Sequence, residues 1–190
     1  MSSAERLIEA TRELLWERGY AGTSPKAIQA RSGVGVGSMY HHFDGKAGLA
    51  LTAMRRSAHD LKEAAEAHFS GPGTAGTRIA SYLRRERDVL RGCPIGRLTM
   101  DADVIGNEDL RAPLDEVFAW LRGRLADLVA EGQENGEFAA DLDPQAVGAM
   151  LAAVVQGGYV MARSADNAEP FDAAARGALS VLGLRIPQHA

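Results

Sequence analysis

A chain of 190 residues, 46% apolar and 24% charged, is long enough for one domain or for a small head on a larger body, and its formal charge of −4 excludes a protein coated evenly in nucleic acid. Its single cysteine, Cys93, excludes an intrachain disulfide and a thiolate metal cage and fits a reducing cytosol. The charge is uneven: residues 1–60 hold eight Lys/Arg against six acids, a balance of +2, and the remainder hold thirteen against nineteen, a balance of −6, so attraction for phosphate is local to the N-terminal part.

Taken in order, Leu7, Ile8, Leu14 and Leu15 recur at helical spacing and predict a helix from Ala4 to Arg18, with Ser3 giving half of a capping box and Gly19 the stop. No apolar run of signal-peptide length precedes or interrupts it, so a cytoplasmic location is expected. Ser24 followed by Pro25 is a helix start, because serine accepts from an unpaired first-turn amide and proline is preorganised at the first helical position. That helix is predicted to reach Ser32. Gly33 then supplies a sharp turn, Val34 plugs the core, Gly35 caps, and a very short helix runs from Val36 to Phe43. A three-residue turn between two short helices is the geometry that projects the second helix into a major groove of DNA.

Beyond it, Leu49, Leu51, Met54, Ala58, Leu61, Ala65 and Phe69 predict one long helix over residues 45–69, and the glycines and proline of residues 71–77 predict a break. Further helices are expected over residues 78–91, 97–106, 110–135, 144–162 and from Glu169 to near Gly183, ahead of Pro187. Strand alternation and internal repeats are absent from the sequence, so the fold class is all-α. Residues 144–162 carry no charge, which invites a transmembrane reading. Gln145, Gln156 and the abundance of Gly and Ala favour a buried helix approached closely by a neighbour instead.

The ordered set Gly19-Tyr20, the approach from Ile28 to Gly33, Val34, Gly37-Ser38-Met39-Tyr40, His42-Phe43 and Lys46 resembles the N-terminal signature of the TetR family of transcriptional regulators. Gln29, Ser32 and Gly35 depart from the family's usual alanines and capping serine, which puts the tightness of the turn in question. The resemblance implies a DNA-binding helix-turn-helix domain over residues 1–46 and an effector-binding and dimerisation domain over 47–190. Ser24 and Lys26, at a helix start where unpaired amides favour an anion, are expected to contact phosphate. Tyr40, His42 and Lys46 match the family's phosphate-contacting positions. Val36, Gly37, Ser38 and His41 are expected to face base edges, Phe43 to be a core aromatic.

Other chemistries fare worse. Neighbouring His41 and His42 diverge by about 100 degrees on a helix, so a metal site is not expected, and no phosphate loop, G-x-S-x-G elbow or HExxH marks a catalytic centre or a cofactor site. Cys93 reads as a small buried hydrophobe. A narrower resemblance, in Gly92-Cys93-Pro94-Ile95-Gly96 and Gln156-Gly157-Gly158-Tyr159, is to TetR regulators with planar aromatic or drug-like effectors. Tyr82, Met100, Phe118, Leu121, Met150, Val154 and Tyr159 are then expected to line an apolar effector cavity, with Gln156 as polar anchor; the competing reading of each is an ordinary core residue. The partners so implied are double-stranded operator DNA, a small apolar or aromatic effector and a second copy of the chain joined through its C-terminal helices, with no membrane. The expected function is a ligand-released repressor; the alternative is a helical small-molecule binding protein without useful DNA affinity.

Overall fold

The computed structural model describes residues 1–184, apart from the side chain of Val36. The described elements are α1 (Ser3–Arg18), α2 (Pro25–Ser32), α3 (Val36–His42), α4 (Gly45–Phe69), α5 (Ala75–Arg84), a 3-10 turn (Gly96–Met100), α6 (Ala102–Ile105), α7 (Glu108–Glu134), α8 (Pro144–Ala165) and α9 (Glu169–Val181). The protein is all-α, with an N-terminal helix-turn-helix and a helical C-terminal body. Compactness divides it into one unit of Met1–Leu61 with Cys93–Val117 and another of Lys62–Gly92 with Phe118 onward. The long helices α4 and α7 each begin in the first unit and end in the second. The expected boundary after Lys46 falls in the first turn of α4.

In the first unit, the cap of α1 is Ser2 rather than Ser3: its hydroxyl accepts from the Glu5 amide at 3.1 Å, so the helix begins one residue early. Leu7, Ile8, Leu14 and Leu15 form its buried row as the spacing requires. Two arginines tie α1 to α4. Arg12 bonds Ser57 at 3.1 Å and pairs with Asp60, and Arg56 pairs with Glu5 at 3.0 Å. The single helix expected over residues 97–106 is broken at Asp101, whose backbone is extended (φ −96°, ψ 114°) and separates the 3-10 turn from α6. Cys93 is buried, and its sulfur accepts from the Gly96 amide at 3.2 Å.

In the second unit, α5 starts three residues before the expected Arg78 because the Thr74 hydroxyl caps it, accepting from the Thr77 amide at 3.3 Å. It also stops early. At Arg85 the backbone turns extended (φ −54°, ψ 145°), and residues 85–92 leave the helix. Glycines bring α8 against its neighbours: a Cβ on Gly148 would lie 2.6 Å from the Arg122 carbonyl oxygen of α7, and one on Gly158 would lie 2.8 Å from the Phe171 ring of α9. By length and composition α8 is apolar enough to cross a membrane. Its row Val147, Gly148, Leu151, Ala152, Val155, Gly158, Tyr159 and Ala162 is buried by neighbouring helices, as a core helix requires, and its opposite face is open.

Candidate nucleic-acid interface

The turn between α2 and α3 is fixed by local chemistry. The Ser24 hydroxyl accepts from the Ala27 amide at 3.1 Å, with Pro25 opening α2. Gly33 adopts the left-handed conformation (φ 65°) that ends α2, and its amide donates to the Gln29 carbonyl. Val34 is buried. Ser32 tightens this turn rather than loosening it: its oxygen accepts from the Val34 amide at 3.2 Å and its hydroxyl donates to the Gln29 carbonyl at 3.4 Å. Gln29 is exposed, and Gly35 caps α3 with backbone alone.

Along α3, Met39 is 2% exposed and anchors the helix, while Gly37, Tyr40, His41 and His42 point outward and Ser38 is half-buried. Ser24 and Lys26 are exposed at the start of α2, and Phe43 is half-buried. The expected contact residues with described side chains are therefore exposed or half-buried and lie in the same compact unit; the side chain of Val36 lies outside the described residues. A Cβ on Gly37 would meet nothing within 4 Å. Packing among the described residues therefore does not require glycine at this position. The His41 and His42 rings lie 5.0 Å apart, edge to face.

Lys46 sits differently from the other contact residues. Its ammonium lies 3.9 Å from the centre of the Tyr20 ring, partly sheltered. Burial lowers its pKa below the ordinary lysine value while Asp101 and Asp103 pull against that shift; burial and the same two aspartates raise the Tyr20 phenol. Asp101 also accepts from the Ala21 amide at 2.8 Å, and a Cβ on Gly19 would stand 3.1 Å from its carboxylate. The loop after α1 is thus held by an acid 80 residues away in sequence. No local pattern announces that contact.

Two family descriptions match this sequence: bacterial regulatory proteins of the tetR family over residues 7–53, and the tetracyclin repressor-like C-terminal domain over residues 77–178. The chain belongs to the TetR family. Among curated relatives it is 26% identical over 171 residues to the HTH-type transcriptional repressor DhaR of Mycobacterium sp. strain GP1, covering 88% of this chain and 86% of that protein. It is 31% identical over 152 residues to the transcriptional regulator AcuR of Cereibacter sphaeroides, covering 75% and 68%. A solved TetR regulator from Chloroflexus aurantiacus superposes with a TM-score of 0.87 at 25% identity, over 96% of this chain and 95% of that one. The protein is accordingly a DNA-binding transcriptional regulator, a class that is not enzymatic, and regulators of this family bind operator DNA, dimerise and bind ligands through the C-terminal domain.

In this TetR-family body, the residues expected to line the effector cavity fall into three groups. Tyr82, Leu121 and Tyr159 are buried, and Phe118, Met150, Val154 and Gln156 are half-buried. Met100 does not belong with them: it is 89% exposed at the end of the 3-10 turn and sits in the other compact unit. Tyr82 and Tyr159 are brought together by a residue the sequence did not single out. The Arg87 guanidinium carbon lies 5.4 Å from the Tyr82 ring centre, 6.0 Å from that of Tyr159 and 5.0 Å from that of Phe171. In the charged run Arg84-Arg85-Glu86-Arg87-Asp88 this arginine reads as part of a solvated helix face, and only the early end of α5 turns it inward.

Proposed function

We propose that the protein is a ligand-released repressor acting as a homodimer. Each subunit places α3 in a major groove of a near-palindromic operator, with half-sites about one helical turn apart or a multiple of it. The observation that carries this reading is the exposure of Gly37, Tyr40, His41 and His42 on a short helix pinned from behind by Met39. Residues 1–46 serve as the reading head and 47–190 as the responding body. Ser24, Lys26, Tyr40, His42 and Lys46 take phosphates, and Val36, Gly37, Ser38 and His41 face base edges. Lys46 reaches a phosphate by exchanging the Tyr20 ring for it.

Dimerisation uses the open faces of α8 and α9. Ala146, Ala153 and Val160 recur every seven residues on α8, with Met161 beside the last, and Ala173, Gly177 and Val181 recur every four on α9; all are exposed and small or apolar. A Cβ on Gly157 or Gly177 would meet nothing within 4 Å, so a second copy has room to approach closely. This makes α8 an interface helix rather than a membrane span. The effector is a small apolar or aromatic molecule received among Tyr82, Phe118, Leu121, Met150, Val154, Gln156 and Tyr159, in keeping with the subgroup that the segments from Gly92 and Gln156 resemble. It releases the operator only to the extent that it binds the DNA-incompetent arrangement more tightly, so operator and effector weaken each other reciprocally.

The test is retardation of a duplex carrying the DNA upstream of the protein's own coding sequence, against a scrambled duplex, with footprinting of any retarded complex. Preference for the native duplex, reversed by a small aromatic compound, is the expected result. Equal, salt-limited retardation of both duplexes would instead favour a small-molecule binding protein that has lost useful DNA affinity.

A further inference from the structure

The second unit holds two arginines, Arg85 and Arg87, that pair with no carboxylate among the described residues. After α5 ends at Arg84, Arg87 folds back on that helix: its Nη2 donates to the carbonyls of Tyr82 and Leu83, and its Nε donates to the Arg85 carbonyl at 3.2 Å. Its Nη1 is buried without an acceptor, and so is the Nε of Arg85, whose guanidinium carbon lies 5.2 Å from the centre of the Tyr82 ring. Among the described residues no carboxylate pairs with either arginine. The carbonyl end of α5 offers about half an elementary charge, which is less than a guanidinium needs away from water. Burial accordingly holds the Arg87 pKa below the ordinary arginine value. His68, bonded through Nδ1 to the Ser81 hydroxyl at 2.7 Å, is held below the ordinary histidine value by burial first and by Arg85 and Arg87 after it.

A capping role for Arg87 accounts for Nη2 and Nε but not for its buried Nη1, and it leaves the Nε of Arg85 unexplained. Buried N–H groups in native proteins find acceptors, and buried charges find counter-charges. The surroundings specify the rest: the rings of Tyr82, Tyr159 and Phe171 have their centres 5.4, 6.0 and 5.0 Å from the Arg87 guanidinium carbon and suit an apolar or aromatic body attached to the anion. The two unpartnered N–H groups belong to arginines whose guanidinium carbons lie 5.2 and 5.4 Å from the same Tyr82 ring centre, and two donors suit the two oxygens of a carboxylate, whereas a phosphate would call for further donors.

We propose that Arg87, seconded by Arg85, forms an anion subsite in the effector-binding body that takes the carboxylate of a small organic acid, with the acid's apolar part against Tyr82, Tyr159 and Phe171. The inference rests on the reading of this unit as effector-binding. It narrows the effector from an apolar or aromatic molecule to one that is also an acid.

The test uses the full chain and three matched pairs of probes: benzoate and benzamide, phenylacetate and phenylacetamide, hexanoate and hexanamide. Calorimetry should show at least one acid bound roughly tenfold more tightly than its amide, the size expected for a charge-assisted hydrogen bond in a sheltered site. Arg87→Gln should remove that preference, Arg87→Lys should restore part of it, and Arg85→Gln should reduce it. Binding of acid and amide alike, binding of neither in all three pairs, or a preference that survives Arg87→Gln overturns the subsite. If Arg87→Gln does not fold, the His68 titration followed by proton NMR decides instead: a bound carboxylate offsets the two guanidiniums and raises the imidazole pKa, and a titration unmoved by saturating acid overturns the proposal. Operator retardation is measured on the same samples. Release by an amide but not by its acid would sink the anion subsite and keep the regulator, whereas acid preference in a protein that retards no specific duplex would do the reverse.

Discussion

Packing leaves two surfaces open, and they differ in kind. On α3 the exposed residues with described side chains are Gly37, Tyr40, His41 and His42, small or able to hydrogen-bond; on α8 and α9 the exposed residues include Ala153, Val160, Met161, Gly177 and Val181, which offer a partner shape and apolar area, beside charged Arg163, Asp172 and Arg176. A surface of the first kind suits a polyanion with hydrogen-bonding edges, and one of the second kind suits a copy of itself. Arginine divides the same way. In the first unit Arg12, Arg31 and Arg56 are matched to Asp60, Glu17 and Glu5, so those cations hold helices together instead of adding to the field felt by DNA. In the second unit Arg85 and Arg87 meet no carboxylate among the described residues, and each keeps one buried N–H without an acceptor. Charge counts alone therefore mislead about which cations face partners.

The comparison breaks most decisively at the apolar surface. Val160 is 70% exposed in the single chain, so Val160→Asp should leave the fold intact while converting the dimer to a monomer and lowering operator affinity by roughly a hundredfold or more. Sedimentation and circular dichroism check this, and a folded, dimeric Val160→Asp protein removes α8 from the interface. At the polar surface the effects are smaller. Tyr40→Ala should weaken specific and random DNA binding together, by roughly tenfold, whereas Ser38→Ala should mainly change which sequences are preferred. Lys46→Ala should lower the slope of log affinity against log salt by about one, and an unchanged slope would show that Lys46 stays on the Tyr20 ring when DNA binds.

The smallest expected effect belongs to a matched pair in the second unit. Arg124 donates to both oxygens of Glu66, at 3.0 and 2.8 Å, and these bonds, with help from Ser70, hold the Glu66 carboxyl at about 2 against its usual 4.5. Because the folded value is the lower one, this pair stabilises fully above about pH 4.5 and progressively less as the pH falls toward 2. Both side chains are about one-third open to water, so Glu66→Gln should cost roughly 1 kcal/mol near neutral pH and little near pH 2, read by urea denaturation at both pH values.

Helix starts and stops of the local kind were legible in advance. Ser24-Pro25, Gly33 and Asp143-Pro144 mark boundaries that the structure places where the sequence put them, because a cap is settled by residues within one turn of it. Where two local solutions compete, the reading slipped. Ser2 rather than Ser3 caps α1, and Thr74 rather than a later residue opens α5. The motif from Gly19 to Lys46 carried the family, since its residues are read in order along one short helix and its approaches.

By itself, the sequence determined that the protein is helical and where most of its helices begin, both of which follow from hydrophobic period and capping within a few residues, and its N-terminal motif carried the family. Tertiary structure decided what distance along the chain hides: that Asp101 holds the loop at Ala21, that Lys46 rests on Tyr20, and that Met100 faces outward. It also turned Arg87 from an apparently solvated charge into the centre of an aromatic cluster built by Tyr82, Tyr159 and Phe171. The reason is physical: whether a charge stays in water or must find a partner depends on which distant residues exclude the water, and no local pattern records that.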